Sequence, residues 1–140
     1  MHARRIIATA LSLAALAAAV QAGGRYDDAI QVTKDFLGVM ETYMEKMEAA
    51  SDANSVAAAM DWFADAVEPI IPDLRAVAEK YPELKNPDTI PPEFRKLQQD
   101  SEAMGQRFSG WMTKIAAYGD NPKVQAAQKR IAQTMMKMNQ

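Results

Sequence analysis

One apolar repeat constrains the fold of this chain more than any other feature. From Ser55 to about Lys80, and on to Tyr81, the apolar residues recur at alternating steps of three and four, which places them on one face of an α-helix. They are Val56, Met60, Phe63, Val67, Ile70, Leu74, Val77 and Tyr81. Pro69 and Pro72 lie inside the repeat, and each lacks the backbone N–H that a helix uses. Because the phase is kept across them, we predict one long helix kinked at both prolines, with a break at Ile71 as the alternative.

Three other segments show the same period, and nothing in the sequence is typical of a strand. Their predicted helices cover residues 28–50, residues 91 or 92 to 118, and residues 122–138. The apolar face of the middle one includes Met104, Phe108, Trp111 and Ile115. Most connections are short, but residues 81–92 form a longer proline-rich loop. Four amphipathic helices joined in this way predict an all-α fold, an antiparallel up-down-up-down four-helix bundle. Capping residues are predicted at three helix starts: Asp27 or Asp28, Asn54 or Ser55, and Asn121.

The first 22 residues are predicted to be a secretory signal peptide. Two arginines precede an apolar stretch at residues 6–20, and Val20 and Ala22 occupy the positions that a signal peptidase reads. The stretch is short for a membrane span, and an uncleaved N-terminal anchor is the alternative. We therefore expect a periplasmic or secreted protein with one domain, residues 23–140, and no membrane span after cleavage.

The residues that are missing exclude many chemistries. The chain has no cysteine, and its one histidine, His2, lies within the predicted signal peptide. The mature chain therefore lacks a thiol nucleophile, a Ser-His-Asp triad, an imidazole base and an ordinary zinc site. Loss of Arg4 and Arg5 leaves 14 basic against 18 acidic residues, a net charge of −4. This charge gives no electrostatic basis for general nucleic-acid binding, and we expect a protein without enzymatic activity.

Charge is unevenly distributed along the mature chain. Residues 23–73 carry 11 acids and 3 bases, a net charge of −8, whereas residues 74–140 carry 7 acids and 11 bases, a net charge of +4. Acidic helices could face basic helices within one bundle, or copies of the chain could associate through these surfaces. Both interpretations remain open at the level of sequence.

Methionine is the most suggestive potential ligand. Nine of the ten methionines belong to the mature chain, since Met1 leaves with the signal peptide. Thioethers are soft ligands that suit Cu(I), and the candidate cofactor ligands are Met40, Met44 and Met135. These three also lie on predicted apolar faces, where methionine is an adaptable core residue. Core packing and binding of Cu(I) or haem are therefore alternative interpretations.

Trp62 is the candidate anchor of a partner-binding surface. It lies beside Asp61, Asp65 and Glu68, whose spacing forms an acidic stripe on one face of the second helix. An exposed tryptophan favours protein recognition, and the acids would attract a basic partner or a divalent cation. The alternatives are a tryptophan lying flat over a groove between helices and a solvated acidic face. The partner is unknown, and a second copy of the chain would also fit.

The order of features resembles cytochrome b562, a small exported four-helix haem protein. The resemblance is carried by the signal peptide, "MET" at residues 40–42, the turn "SDANSV", the loop "NPDTIPPEF" and the final helix "VQAAQKRIAQT". It implies an exported helical bundle in which Met40 matches the methionine ligand of the haem iron. The family's histidine ligand is absent, because "TMMKMNQ" occupies that region, so only a pair of methionines could ligate iron.

Together these features predict an exported, non-enzymatic binding or interaction module. A methionine-ligated Cu(I) or haem protein and a small chaperone-like protein of the cell envelope are the alternatives.

Overall fold

A computed structural model describes residues 24–140, and the regular structure in that range is entirely helical. Its α-helices, named α1 to α5, cover Asp27–Ala49, Ala53–Val67, Ile71–Lys80, Arg95–Ala117 and Pro122–Met136. Since residues 24–140 contain no strand, the predicted all-α class is confirmed. The predicted signal peptide lies outside the described residues.

The predicted second helix is divided into α2 and α3 by a single 3-10 turn, Glu68–Ile70. The backbone stays in the right-handed helical region through this turn, with φ and ψ of −52° and −47° at Glu68. Pro69 lies within the turn and Pro72 lies in the first turn of α3, where a missing N–H costs no helical hydrogen bond. Helical backbone therefore continues past both prolines, although the α-helical hydrogen-bond pattern is interrupted.

The start of α2 differs from the prediction. Its N-cap is Asp52, whose carboxylate accepts a hydrogen bond from the Ser55 backbone N–H at 2.7 Å. The Ser55 hydroxyl in turn accepts from the Asp52 N–H at 3.1 Å, so the two residues form a capping box, and neither Asn54 nor Ser55 is the cap. The Asn121 cap of α5 is confirmed, since its side chain accepts from the Lys123 N–H at 2.9 Å.

Asp28 joins the start of α1 to the end of α3. Its carboxylate accepts hydrogen bonds from the Lys80 ammonium and from the Tyr81 hydroxyl, each at 2.7 Å. The N-cap of α1 is Tyr26, which makes no side-chain cap bond, so the predicted cap at Asp27 or Asp28 is wrong, and both acids lie in the first turn of the helix. The hydrogen bond from Lys80, followed by that from Tyr81, lowers the pKa of Asp28 to about 2.

Replacing Asp28 with asparagine is expected to remove a pH-dependent part of the stability. The carboxyl has a lower pKa when folded than its ordinary value of 3.8, so its contribution is complete above about pH 5. The contribution is lost as the pH falls through 4 towards 2. The difference in Tm between wild type and Asp28→Asn, followed by circular dichroism, should therefore shrink from pH 6 to pH 2. Asp73→Asn, at an exposed site on α3, is the control. A difference that stays constant over this range would contradict the assignment.

Buried apolar side chains form two clusters. The smaller cluster contains Ala29, Tyr81, Phe94 and Leu97, and it packs the start of α1 against α4 and the proline-rich loop. The larger cluster joins α1, α2, α4 and α5 with Ile71 of α3, and its largest fully enclosed side chains are Met44, Met47, Val56, Val67 and Val124. Because α1 contributes to both clusters, it connects the two ends of the fold.

Ion pairs connect the acidic first half of the chain to its basic second half. Within residues 24–140, every ion pair except Arg25–Glu83 joins an acid in the first half of the chain to a base in the second half. These pairs are Asp28–Lys80, Glu48–Arg107, Asp61–Arg130, Asp65–Arg130 and Glu68–Lys137. All of these side chains are well exposed, so each pair contributes little to stability by itself. The two charge patterns nevertheless meet within one chain, as the first interpretation expected.

Candidate functional site

An apolar cleft of about 410 Å³ is the most distinctive concave feature of the described chain. Its volume lies within the roughly 300–1,000 Å³ typical of small-molecule sites. Helices α1, α2, α4 and α5 all contribute to its walls. The lining residues are Phe36, Met40, Tyr43, Met60, Phe63, Phe108, Met112, Ile115, Gln128, Ile131, Ala132 and Met135.

The burial of these side chains distinguishes the floor of the cleft from its rim. Tyr43, Met60, Phe63 and Ile115 are buried and belong to the larger cluster, so the floor is continuous with the core. At the rim, Phe108 is 41% exposed and Met112 is 50% exposed. Gln128 and Ala132 are exposed as well. The cleft therefore leads from solvent into the apolar interior.

Each of the four helices provides one methionine to the cleft, which we therefore call the methionine cleft. They are Met40 from α1, Met60 from α2, Met112 from α4 and Met135 from α5. Two of the three predicted ligands, Met40 and Met135, thus lie at the same site. Met44 is wholly buried in the larger cluster and does not line the cleft. Its position four residues after Met40 places it further along α1.

The lining carries no charged side chain, and its polar groups come only from Tyr43 and Gln128. Aromatic contacts hold Tyr43 in place. Its ring stacks on Phe63 with centroids 4.6 Å apart and meets Trp111 edge to face at 5.0 Å. Burial raises the pKa of Tyr43 to about 12, so this phenol is neutral at physiological pH. The site can therefore offer apolar surface together with a neutral hydrogen-bonding group.

The predicted partner surface is already engaged within the chain. Trp62 is half-buried against the larger cluster, and the Lys46 ammonium lies 5.1 Å from its ring centroid. Arg130 pairs with Asp61 and Asp65 of the acidic stripe, as described above. Its third acid, Glu68, pairs with Lys137. Partner binding at Trp62, Asp61, Asp65 and Glu68 stays a prediction, and a partner would have to displace or share these cations.

A larger groove of about 720 Å³ lies along α1 and the first half of α4, but its chemistry is mixed. Three cationic and three anionic side chains line it, and they are Lys34, Lys96, Arg107, Glu41, Glu93 and Asp100. Among residues 24–140 there is no group of three or more carboxylate or imidazole side chains placed to hold a metal ion. The uniform apolar lining makes the methionine cleft the better candidate site.

Sequence reasoning did not identify Tyr43, Phe63 or Met112 as site residues. A signal for Tyr43 exists, because Phe36, Met40 and Tyr43 follow one another at steps of four and three residues and therefore share a helix face. Met112 belongs to no predicted apolar face. Only the arrangement of the four helices brings it to the cleft.

No protein-family model matches the chain, and comparisons with curated proteins and with solved structures find no match. None of the helices between residues 24 and 140 combines the length and apolar character that a bilayer crossing requires.

Proposed function

We propose that this protein is an exported, non-enzymatic binding protein that holds a small, neutral, apolar molecule in the methionine cleft. The exposed rim of the cleft carries this proposal. Phe108 and Met112 face solvent beside an opening that leads to the buried floor. Contiguous apolar surface left in water is unfavourable, and on a folded protein it often marks a binding site. A bound apolar molecule would cover this surface without requiring any charged partner.

Contacts near the helix ends indicate the direction in which each helix around the cleft runs. Leu97 shares the smaller cluster with Ala29, and Arg107 pairs with Glu48, so α1 and α4 run in the same direction. The Asp28–Lys80 pair sets the start of α1 beside the end of α3, so α2 and α3 run against α1.

The other parallel pair is α2 and α5. The Lys123 ammonium donates to the Asn54 side-chain oxygen at 3.0 Å near their starts, and Glu68 pairs with Lys137 near their ends. These directions support the up-down-up-down alternation of the predicted antiparallel four-helix bundle along the chain, although the neighbouring pairs α1–α4 and α2–α5 are parallel. The kink of the second helix at Pro69 and Pro72 stays a prediction. In this arrangement α4 packs mainly on α1 and α5 packs mainly on α2. The side between α4 and α5 is left open, and the cleft is found there.

Binding of a neutral fluorescent probe, N-phenyl-naphthylamine, tests the function. We expect saturable binding with one site per chain and a rise in probe fluorescence. Ala132→Trp should abolish this binding, because the indole would fill the opening from an exposed position on the rim. Ala126→Trp is the matched control, since Ala126 is exposed on the same helix outside the cleft. Equal loss in both variants, or no saturable binding by wild type, would contradict the proposal.

A Cu(I) site is the second candidate, favoured by the four thioethers that four helices bring to one cleft. Haem fits less well, because the lining offers no cation to pair with its propionates. The combined variant Met40→Leu/Met135→Leu separates the candidates. Leucine keeps the wall apolar, so binding of the neutral probe should persist. Stoichiometric binding of Cu(I) to wild type under anaerobic conditions that disappears in the variant would support the metal site instead.

A further inference from the structure

One tyrosine of this chain differs from the other three in its hydrogen bonding. The hydroxyl of Tyr26 donates to Glu83 at 2.9 Å, that of Tyr81 to Asp28 and to the Arg25 carbonyl, and that of Tyr118 to the Ser51 carbonyl at 3.1 Å. Tyr43 is the fourth, and among residues 24–140 its hydroxyl has no hydrogen-bond partner. Its side chain is only 4% exposed and lines the methionine cleft. Its hydroxyl is not fully enclosed, since Trp111 Nε1 is the one fully enclosed side-chain nitrogen or oxygen without a partner among residues 24–140.

A hydroxyl that lines an apolar cleft without a protein partner is one of the few polar groups that can orient a ligand there. The aromatic contacts of Tyr43 with Phe63 and Trp111 fix its ring, so the hydroxyl cannot readily turn away. Burial keeps its pKa far above neutral, so the group keeps its proton and can donate. No charged side chain lines the cleft to take this hydrogen bond or to neutralise an ionised ligand.

The rest of the lining indicates the body of the ligand. Phe36, Phe63 and Phe108 present aromatic rings, and four methionines present polarisable thioethers, which make favourable contacts with aromatic groups. Resting on the proposed function, we propose that the cleft binds a neutral aromatic carbonyl compound, such as a quinone or an aromatic ketone, whose carbonyl oxygen accepts a hydrogen bond from Tyr43. Tyr43 is thus the residue that determines specificity at this site.

Two probes that share an aromatic frame test this assignment. Menadione, a methylated naphthoquinone, carries carbonyl groups, and methylnaphthalene does not. The chain has no cysteine with which menadione could react covalently. Equilibrium dialysis of both probes against wild type, Tyr43→Phe and Tyr118→Phe gives the dissociation constants. Tyr118→Phe is the matched control, because the hydroxyl it removes bonds to Ser51 and does not line the cleft.

Tyr43→Phe is expected to weaken menadione binding roughly three- to tenfold, the value of one ordinary hydrogen bond, and to leave methylnaphthalene binding unchanged. Tyr118→Phe should change neither. Menadione affinity that is unaltered in Tyr43→Phe, or an equal loss for both probes, would overturn the carbonyl assignment and leave an apolar binding site standing. Failure of both probes to bind wild type would overturn the proposed function as well.

Discussion

Met44→Ala is expected to lower the free energy of unfolding by about 2–5 kcal/mol, the range for truncating a large buried apolar side chain. Met44 has no exposed surface and lies among the enclosed side chains of the larger cluster. Its removal would leave a cavity that the surrounding helices can fill only in part. Urea denaturation followed by circular dichroism measures the loss, provided that the m-value is unchanged.

Met40→Ala is the matched comparison, because it truncates the same side chain one helical turn earlier. Met40 is only partly buried and borders the open cleft, so its truncation removes fewer contacts and creates no closed cavity. We expect a loss of about 1 kcal/mol. Equal losses at the two positions would mean that Met40 is ordinary core and that the cleft is closed in solution.

Lys114→Met is expected to cost about 1.5–3 kcal/mol of stability, the range for hydrogen bonds that involve a charged group. The Lys114 ammonium donates to the backbone carbonyls of Met47 at 2.8 Å, Glu48 at 3.2 Å and Ala50 at 2.8 Å. The last carbonyls of a helix lack partners within the helix, and a cation there also opposes the helix dipole. A side chain of α4 thus completes the C-terminus of α1.

Methionine retains the apolar stem of Lys114, so the variant removes mainly the charge and its hydrogen bonds. Lys129→Met, at an exposed position of α5, is the control for the general effect of losing a positive charge. Urea denaturation of both variants provides the comparison. If they lose the same stability, the ammonium of Lys114 contributes nothing specific at the end of α1.

Local patterns predicted the helices well, because the period of apolar residues depends only on the chain itself. Phe63, Val67 and Trp111 were placed on apolar faces and are buried. The expectation failed at Phe108, which has the correct spacing but is 41% exposed. Burial requires a neighbouring helix as well as a suitable face, and α4 and α5 do not close over this residue. The cleft results from the separation of α4 and α5, which no single segment of the sequence encodes.

Long-range polar contacts could not be predicted from the sequence, because they also depend on which segments become neighbours in the fold. Lys114 looks like any surface lysine, and nothing near it in the chain indicates that the end of α1 lies within reach. Asp28 carried a clear local signal as a helix cap, yet it lies inside the first turn of α1, and its carboxylate binds Lys80 and Tyr81. Residue type predicted the capacity for a hydrogen bond, whereas the tertiary fold selected the partner.

The division of the interior into two apolar clusters bears on how this protein can open. The smaller cluster contains few side chains and includes the proline-rich loop, whereas the larger cluster supplies the floor of the cleft. If each cluster unfolds as a cooperative unit, the two have different free energies of local unfolding, and the one with fewer apolar contacts unfolds first. The end that holds Tyr81 and Phe94 can then undergo local unfolding while the binding site stays assembled. Hydrogen exchange and proteolysis at that end would proceed independently of the occupancy of the cleft.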